Sequence, residues 1–140
     1  MRKYIGTKIV HAEPATRVET ADCSVREGYK VVYPDGYESW SPKDVFEEAY
    51  RPTDGMNFGL ALEAAKCGEK IARKNWNGKG QFVFLASGAE FRTQADLSAF
   101  HDKDVEVHDV LVIKTSQDVF QPGWLASQSD MLADDWEIVD

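Results

Sequence analysis

Cysteines are scarce in this sequence and long apolar runs are missing, and both features limit what the protein can be. Its two cysteines, Cys23 and Cys67, lie outside any CxxC or Cys/His pattern. We therefore expect two reduced thiols, one of them buried, rather than a disulfide framework or a zinc site. No apolar run approaches the roughly 18 residues that cross a bilayer. Residues 1–6 begin basic but lack the apolar run of a signal peptide, so we expect a cytosolic protein.

Basic residues are also in deficit, since the 140 residues carry a formal net charge of −8. This charge argues against non-specific binding to a nucleic-acid duplex, which needs a broad basic face. Residues 66–80 nevertheless have a local net charge of +4, which leaves −12 for the rest of the chain. A small basic segment on an acidic protein suits a compact anion better than a polymer. Solvated lysines beside a helix end are the alternative explanation.

The first 50 residues predict a small module made of a β-hairpin and a helix. A strand is expected over residues 4–11. A hairpin is expected over residues 29–40, because its turn contains a proline and a glycine between two β-rich runs. Ser41 is expected to cap a helix over residues 42–50 through a variant of the capping box.

Residues 51–55 contain Pro and Gly and predict a linker, after which residues 56–140 form a second domain. Asn57 is a suitable cap for a helix over residues 58–67, and Gly68 is a suitable terminator. Further strands are predicted over residues 71–73, 81–86, 105–114, 119–120 and 136–139, and short helices are predicted to begin at Thr93 and Ser127. Strands and short helices without βαβ alternation indicate an α+β fold with a mainly antiparallel sheet.

The turn over residues 75–80 is the most informative local feature. Its two glycines allow the backbone to approach a ligand closely, so that amide groups meet phosphate oxygens. Arg73 and Lys79 are candidates for charge, and Trp76 and Phe82 for stacking on a base. The alternative is a tight hairpin with a core tryptophan.

A second candidate segment follows Trp124, just ahead of the helix expected at Ser127. The amino end of a helix has unpaired amides and a partial positive charge that favour an anion. Asp130 competes for these amides, because it completes a capping box with Ser127. Ser127, Gln128 and Asp130 are alternatively candidates for hydrogen bonds to a base edge or a ribose. A structural cap with Trp124 and Trp136 in the core explains the same residues.

No metal, cofactor or catalytic group is expected. Residues 101–109 mix imidazoles and carboxylates, but their spacing fits no common ligand pattern, and a solvated acidic edge is the better interpretation. The sequence also lacks a nucleophile-elbow pattern and a Cys/His or Ser/His pair that stands out.

Three blocks of the second domain resemble a known family. Residues 56–66 read MNFGLALEAAK, residues 71–80 read IARKNWNGKG, and residues 124–137 read WLASQSDMLADDWE. In this order and spacing they resemble the second Thoeris anti-defence family, which is a domain of phages. The resemblance covers about 85 residues, whereas residues 87–106 align with nothing confidently.

The resemblance implies a sponge rather than an enzyme. Such proteins are homotetramers that sequester cyclic ADP-ribose-type signals, such as glycocyclic ADP-ribose, in the cytoplasm of the infected bacterial host. Some members also hold the cyclic oligonucleotide signals of other defence systems, an anti-CBASS role, and the pockets lie between protomers. No nucleic-acid polymer and no membrane is implied as a partner. The candidate ligand-binding residues are Arg73, Trp76, Asn77, Gly78, Lys79, Phe82, Trp124, Ser127, Gln128 and Asp130.

Two other functions stay open. One is a hydrolase of the same cyclic nucleotide that uses Asp130 or His108, and the other is a structural or protein-binding phage module. Residues 34–46 resemble a small module common in phage proteins, a resemblance that implies no activity.

Overall fold

The computed structural model describes residues 1–90 and 106–140. The chain divides into two compact units, Met1–Pro52 and Thr53–Asp140. Both combine antiparallel sheets with short helices, which confirms the predicted α+β class. Among the described residues, no helix has the length and apolarity needed to cross a membrane.

The first unit is a three-stranded antiparallel sheet with one helix. Its strands are β1 (His11–Val18), β2 (Val25–Val32) and β3 (Glu38–Pro42), in that order across the sheet, and its helix is α1 (Lys43–Ala49). The predicted hairpin is confirmed as β2–β3, where Gly36 adopts a φ of +85° that favours glycine. Phe46 of α1 stacks on Tyr29 of β2 at 4.3 Å between ring centroids, so this stack joins the helix to the sheet.

Two local predictions for this unit are wrong. The first strand runs over His11–Val18 and pairs with β2 along its whole length, whereas residues 4–10 form no strand. Neither face of β1 is buried, so its sequence lacks the apolar alternation that would have indicated a strand. Ser41 does not cap α1, because it is still paired with Tyr29 inside β3 and its hydroxyl donates to the carbonyl of Pro42. Pro42 occupies the cap position, and no side chain caps the helix.

The second unit is a five-stranded antiparallel sheet with α2 (Phe58–Lys66) and α3 (Gln128–Met131). Its strands are β4 (Lys70–Arg73), β5 (Phe82–Ala86), β6 (Val110–Lys114), β7 (Phe120–Pro122) and β8 (Trp136–Val139). Their order across the sheet is β7-β6-β5-β4-β8, so the last strand lies beside the first.

One face of this sheet packs against α2 and forms the core of the unit. Ala61, Ala64 and Ala65 of α2 are buried against Ile71, Val83 and Trp136 of the strands. Because the alanine side chains are small, the large indole of Trp136 fits into the same buried cluster. The opposite face of the same strands points away from this helix, because side chains alternate along a strand.

Most local signals of the second unit are confirmed. The Asn57 side chain accepts from the amide of Leu60 at 2.9 Å, Gly68 has a φ of +95°, and Ser127 forms a capping box with Asp130. The strand predicted over residues 105–114 begins only at Val110, and the helix predicted at Thr93 falls outside the described residues.

The prediction that one cysteine is buried is wrong. Cys23 and Cys67 are both exposed and free. Cys23 lies in a turn with a φ of +56°, and Cys67 is the C-cap of α2. Both positions are in a turn or at the end of a helix rather than on a core face. The apolar character of cysteine therefore does not lead to burial of either thiol.

Candidate functional site

The carboxylate of Asp130 is the centre of the largest polar cluster among the described side chains. One oxygen, Oδ1, accepts from Nη1 of Arg73 and from the indole Nε1 of Trp76, each at 3.0 Å. The other, Oδ2, accepts from the amide of Ser127 at 3.0 Å and from its hydroxyl at 2.7 Å. The capping box fixes Asp130 at the third position of α3 through Oδ2, and Oδ1 is thereby directed towards Arg73 of β4.

Arg73 joins this cluster to a second carboxylate. Its Nε donates to Oδ1 of Asp135 at 2.8 Å, while Oδ2 of Asp135 accepts from the backbone amide of Asn75 at 3.0 Å. The side chains of Arg73, Asp130 and Asp135 are only 16%, 13% and 18% exposed. Hydrogen bonds from Arg73 to Asp135 and then to Asp130 raise the pKa of the guanidinium further above its usual value. The guanidinium is therefore already shared between two carboxylates.

Three indoles and one phenyl ring pack around the same point. Trp76, Trp124 and Trp136 meet edge to face, with centroids 5.4–6.1 Å apart, and Phe58 contacts the latter two. Trp136 is fully buried, and its Nε1 donates to the carbonyl of Asp130 at 2.9 Å. Trp76 and Trp124 are half-buried against the core. The aromatic cluster and the polar cluster are therefore one packed assembly.

The environment of Asp130 keeps it ionised. Burial by itself raises the pKa of this carboxyl, but hydrogen bonds from Trp76, Ser127 and Arg73 outweigh burial and lower the pKa to about 2. Asp135 follows the same pattern, since burial raises its pKa and the bonds from Arg73 and Asn75 lower it more. A carboxylate with these partners holds neighbouring elements together and has no proton to donate near neutral pH.

The turn between β4 and β5 exposes a different set of groups. Asn77 and Lys79 are exposed, and Gly80 adopts a φ of +68°. The side chain of Gln81 lies over Gly78, where an added Cβ would be 2.4 Å from it. This turn therefore presents an amide and an ammonium group to solvent beside Gly80, whose positive φ favours glycine.

The structure separates the ten candidate residues into four groups. Arg73, Trp76, Trp124, Ser127 and Asp130 lie together in the packed cluster. Asn77, Gly78 and Lys79 lie on the turn, and Gln128 is exposed on α3. Phe82 alternates with the buried Val83 and so lies on the other face of the sheet from the indoles. Trp76 and Phe82, both expected to stack on a base, face opposite sides of the sheet.

Sequence reasoning missed Asp135 and Asn75 as members of the cluster. Asp135 lies 62 residues from Arg73, and only the pairing of β4 with β8 brings them together. The sequence signal available was the Asp-Asp pair just before Trp136, which places a carboxylate at the start of a strand.

The acidic segment with histidines shows no metal site where it is described. Glu106 and His108 are 81% and 87% exposed, with Nδ1 of His108 3.8 Å from the carboxylate of Glu106, and neither belongs to a strand. Within residues 1–90 and 106–140, no group of three metal-binding side chains converges. The rest of the segment falls outside the described residues.

Comparison with known proteins identifies the second unit. The Thoeris anti-defense 2-like domain matches residues 56–139. Thoeris anti-defense 2 of Bacillus phage SP01 is 35% identical over 85 residues, which make up 60% of this chain and 94% of that protein. The matched residues 56–139 include the cluster around Asp130, the exposed turn and the whole five-stranded sheet. The chain belongs to the Thoeris anti-defense 2-like family.

Proposed function

We propose that this protein is a phage anti-defence sponge that sequesters a cyclic nucleotide immune signal without cleaving it. The observation that carries the proposal is membership of the Thoeris anti-defense 2-like family over residues 56–139. The signal is a cyclic ADP-ribose-type molecule, with cyclic oligonucleotides as a second class. Such a protein acts in the cytoplasm of the infected host, where the signal is made.

The chemistry around Asp130 supports sequestration over hydrolysis. A general acid needs a pKa near the working pH, but hydrogen bonds and Arg73 hold the pKa of Asp130 at about 2. Both of its oxygens already accept hydrogen bonds, so it is poorly placed to orient a water molecule. His108, the other candidate, is 87% exposed, and within residues 1–90 and 106–140 its side chain has one charged neighbour, Glu106. At 3.8 Å the Glu106 carboxylate is too far from the His108 imidazole for a hydrogen bond, so it does not orient that ring as a base.

The exposed turn and the residues beside α3 are the proposed contacts with the ligand. Asn77 and Lys79 have free polar groups, and Gln128 presents its amide on an exposed helix. Arg73, Trp76, Ser127 and Asp130 would then act mainly by holding the turn and α3 in place, with the exposed edges of Trp76 and Trp124 lining the pocket. In the proposed homotetramer a neighbouring protomer completes this pocket, and the exposed Leu125 and Leu132, at 88% and 78%, are candidate contacts between protomers.

Recovery of intact ligand tests sequestration directly. Purified protein is incubated with glycocyclic ADP-ribose, separated from free ligand, denatured by heat, and the supernatant is analysed by mass spectrometry. We expect unchanged ligand in a fixed ratio to protein, because no described group is set up to cleave it. Hydrolysed product would instead make the protein an enzyme.

A matched pair of variants separates specific binding from charge alone. The double variant Asn77→Ala/Lys79→Ala should retain little ligand, whereas Lys66→Ala, which removes an exposed lysine paired with Glu63 on α2, should retain as much as the wild type. If no cyclic nucleotide binds and none raises the melting temperature, the protein is better explained as a structural or protein-binding module.

A further inference from the structure

Residues 4–10 have a sequence suited to a strand but stay unpaired in the described part of the chain. Tyr4, Ile5 and Ile9 are aromatic or β-branched, and they are 88%, 97% and 40% exposed. Within residues 1–90 and 106–140, no backbone group of residues 4–10 makes a hydrogen bond. Open amides and carbonyls beside exposed apolar side chains are a template for pairing with another strand.

The register of the three-stranded sheet explains why this segment has no partner in its own unit. Residues 4–10 lead directly into β1, which begins at His11, opposite Val32 at the end of β2. The chain then turns back at Tyr33, whose carbonyl accepts from the amide of Gly36 at 2.8 Å. A strand over residues 4–10 would therefore extend β1 beyond the end of β2, where its own sheet offers nothing to pair with.

The segment is complementary to a second copy of itself. When two segments pair antiparallel about Thr7, Ile5 of each copy lies opposite Ile9 of the other, on the face that Thr7 also occupies. Pairs of β-branched side chains directly across two strands stabilise a sheet. One two-fold axis relates both isoleucine pairs and the central threonine pair, so the contact closes after two copies.

Charge favours the same antiparallel arrangement. The basic residue Lys3 precedes the segment, and the acidic residue Glu13 follows it on β1. In this register Lys3 of one copy lies diagonally across from Glu13 of the other, within reach of a long side chain. Lys8 would lie near its own symmetry copy, but its Nζ is turned to its own unit, 4.4 Å from the ring centroid of Tyr33. The pairing therefore brings opposite charges together and keeps the two like charges apart.

We propose that residues 4–10 form a two-stranded antiparallel ribbon with the same residues of a second copy of this chain. A two-stranded ribbon is marginal by itself in water, but here each strand continues into β1, which its sheet already holds extended. The contact lies outside residues 56–139, so it is separate from the contacts proposed between protomers of the second unit. It needs no ligand and goes beyond the proposed function.

Disulfide trapping in the full chain tests the register. With Cys23 and Cys67 replaced by Ser, Thr7→Cys places two thiols at the two-fold axis, where opposite Cα atoms about 4.5–5.5 Å apart suit a disulfide. Ile5→Cys is the matched control, because its symmetry copy lies about 14 Å away along the ribbon. We expect Thr7→Cys to form a covalent dimer at least about tenfold faster than Ile5→Cys. Ile5→Cys mixed with Ile9→Cys should give heterodimers, detected by mass spectrometry. Equal rates for Thr7→Cys and Ile5→Cys would mean random collision and overturn the proposal.

Hydrogen exchange reports the pairing without any new cysteine. The amides of residues 4–10 should exchange at least about tenfold more slowly in the wild type than in Ile5→Lys/Ile9→Lys, which replaces the paired isoleucines with like charges. Val18→Lys, at a 61% exposed position at the far end of β1, is the control and should keep the protection. Fast exchange of residues 4–10 in the wild type would overturn the proposal. Protection without Thr7→Cys crosslinking would overturn it too, since the segment would then pair elsewhere. Neither measurement uses a nucleotide, so the outcome is independent of whether the protein is a sponge.

Discussion

At the scale of single residues, Asp130 connects more of the second unit than any other described side chain. It ties α3 to β4 through Arg73, to the turn through Trp76 and to its own helix through Ser127. Because this carboxylate is only 13% exposed, removing its charge leaves the guanidinium and an indole N–H with weaker acceptors. The residue is therefore better understood as the link that positions the candidate site than as a reacting group.

Asp130→Asn should lower the free energy of unfolding by about 2 kcal/mol at pH 7, since the drop from an ordinary pKa of 3.8 to about 2 corresponds to that much. The folded pKa is the lower one, so this contribution is present above about pH 4 and disappears as the pH falls towards about 2. Urea unfolding of both proteins at several pH values measures the difference. Asp54→Asn is the control and should change stability little, because the Asp54 side chain, which pairs with Lys74, is 73% exposed. A difference between wild type and Asp130→Asn that stays constant down to pH 2 would contradict the account.

At the scale of elements, the N-terminal sheet depends on one close contact between strands. The indole of Trp40 on β3 lies across Gly28 on β2, and its Nε1 donates to the carbonyl of Ala15 on β1 at 3.2 Å. Arg17 lies over the same indole, 5.7 Å from the ring centroid. Trp40 thus spans all three strands, and only a residue without a Cβ fits beneath it.

Gly28→Ala should destabilise this sheet by about 1–3 kcal/mol, as overpacking does elsewhere. An added Cβ would lie 2.3 Å from the carbonyl oxygen of Ser41 and 2.5 Å from the Trp40 ring, so either the strand or the indole must move. Hydrogen exchange measured by peptide should rise over residues 11–42. Gly6→Ala, where nothing lies within 4 Å of the added carbon, is the matched control and should leave exchange unchanged.

The elements that the sequence predicted are those whose ends are set by nearby residues, such as a capping side chain or a glycine. Asn57 caps α2, Ser127 caps α3, and Gly36 and Gly68 adopt the positive φ values that their turns need. The strand β1 was misplaced, because a strand exposed on both faces carries no apolar period. The pairing of β8 with β4 was out of reach as well, since it joins residues more than sixty positions apart. The Arg73–Asp135 ion pair of the candidate site could not be predicted from the sequence either, because it depends on the same strand pairing.

At the scale of the whole molecule, the core of the second unit is complete within its own residues. The buried cluster runs from Met56 to Trp136, and the family match covers nearly the same span. Three contacts hold the start of the unit, and those of Thr53 and Asp54 lie just before the family match. The carbonyl of Thr53 accepts from the amide of Ile138 at 2.9 Å, Asp54 pairs with Lys74, and Met56 exchanges two backbone bonds with Trp136.

A chain of residues 53–140 should therefore fold by itself and unfold in one cooperative transition, because its sheet, helices and core are all retained. A chain of residues 56–140 should fold as well but be about 1 kcal/mol less stable, since it loses the Thr53–Ile138 bond and the Asp54–Lys74 pair. Thermal and urea unfolding, followed by tryptophan fluorescence, compares both with the full chain, in which Trp40 is the only indole outside this unit. Equal stability of the two shorter chains would show that these contacts contribute nothing, and an unfolded 53–140 chain would show that residues 1–52 are required for the core to form.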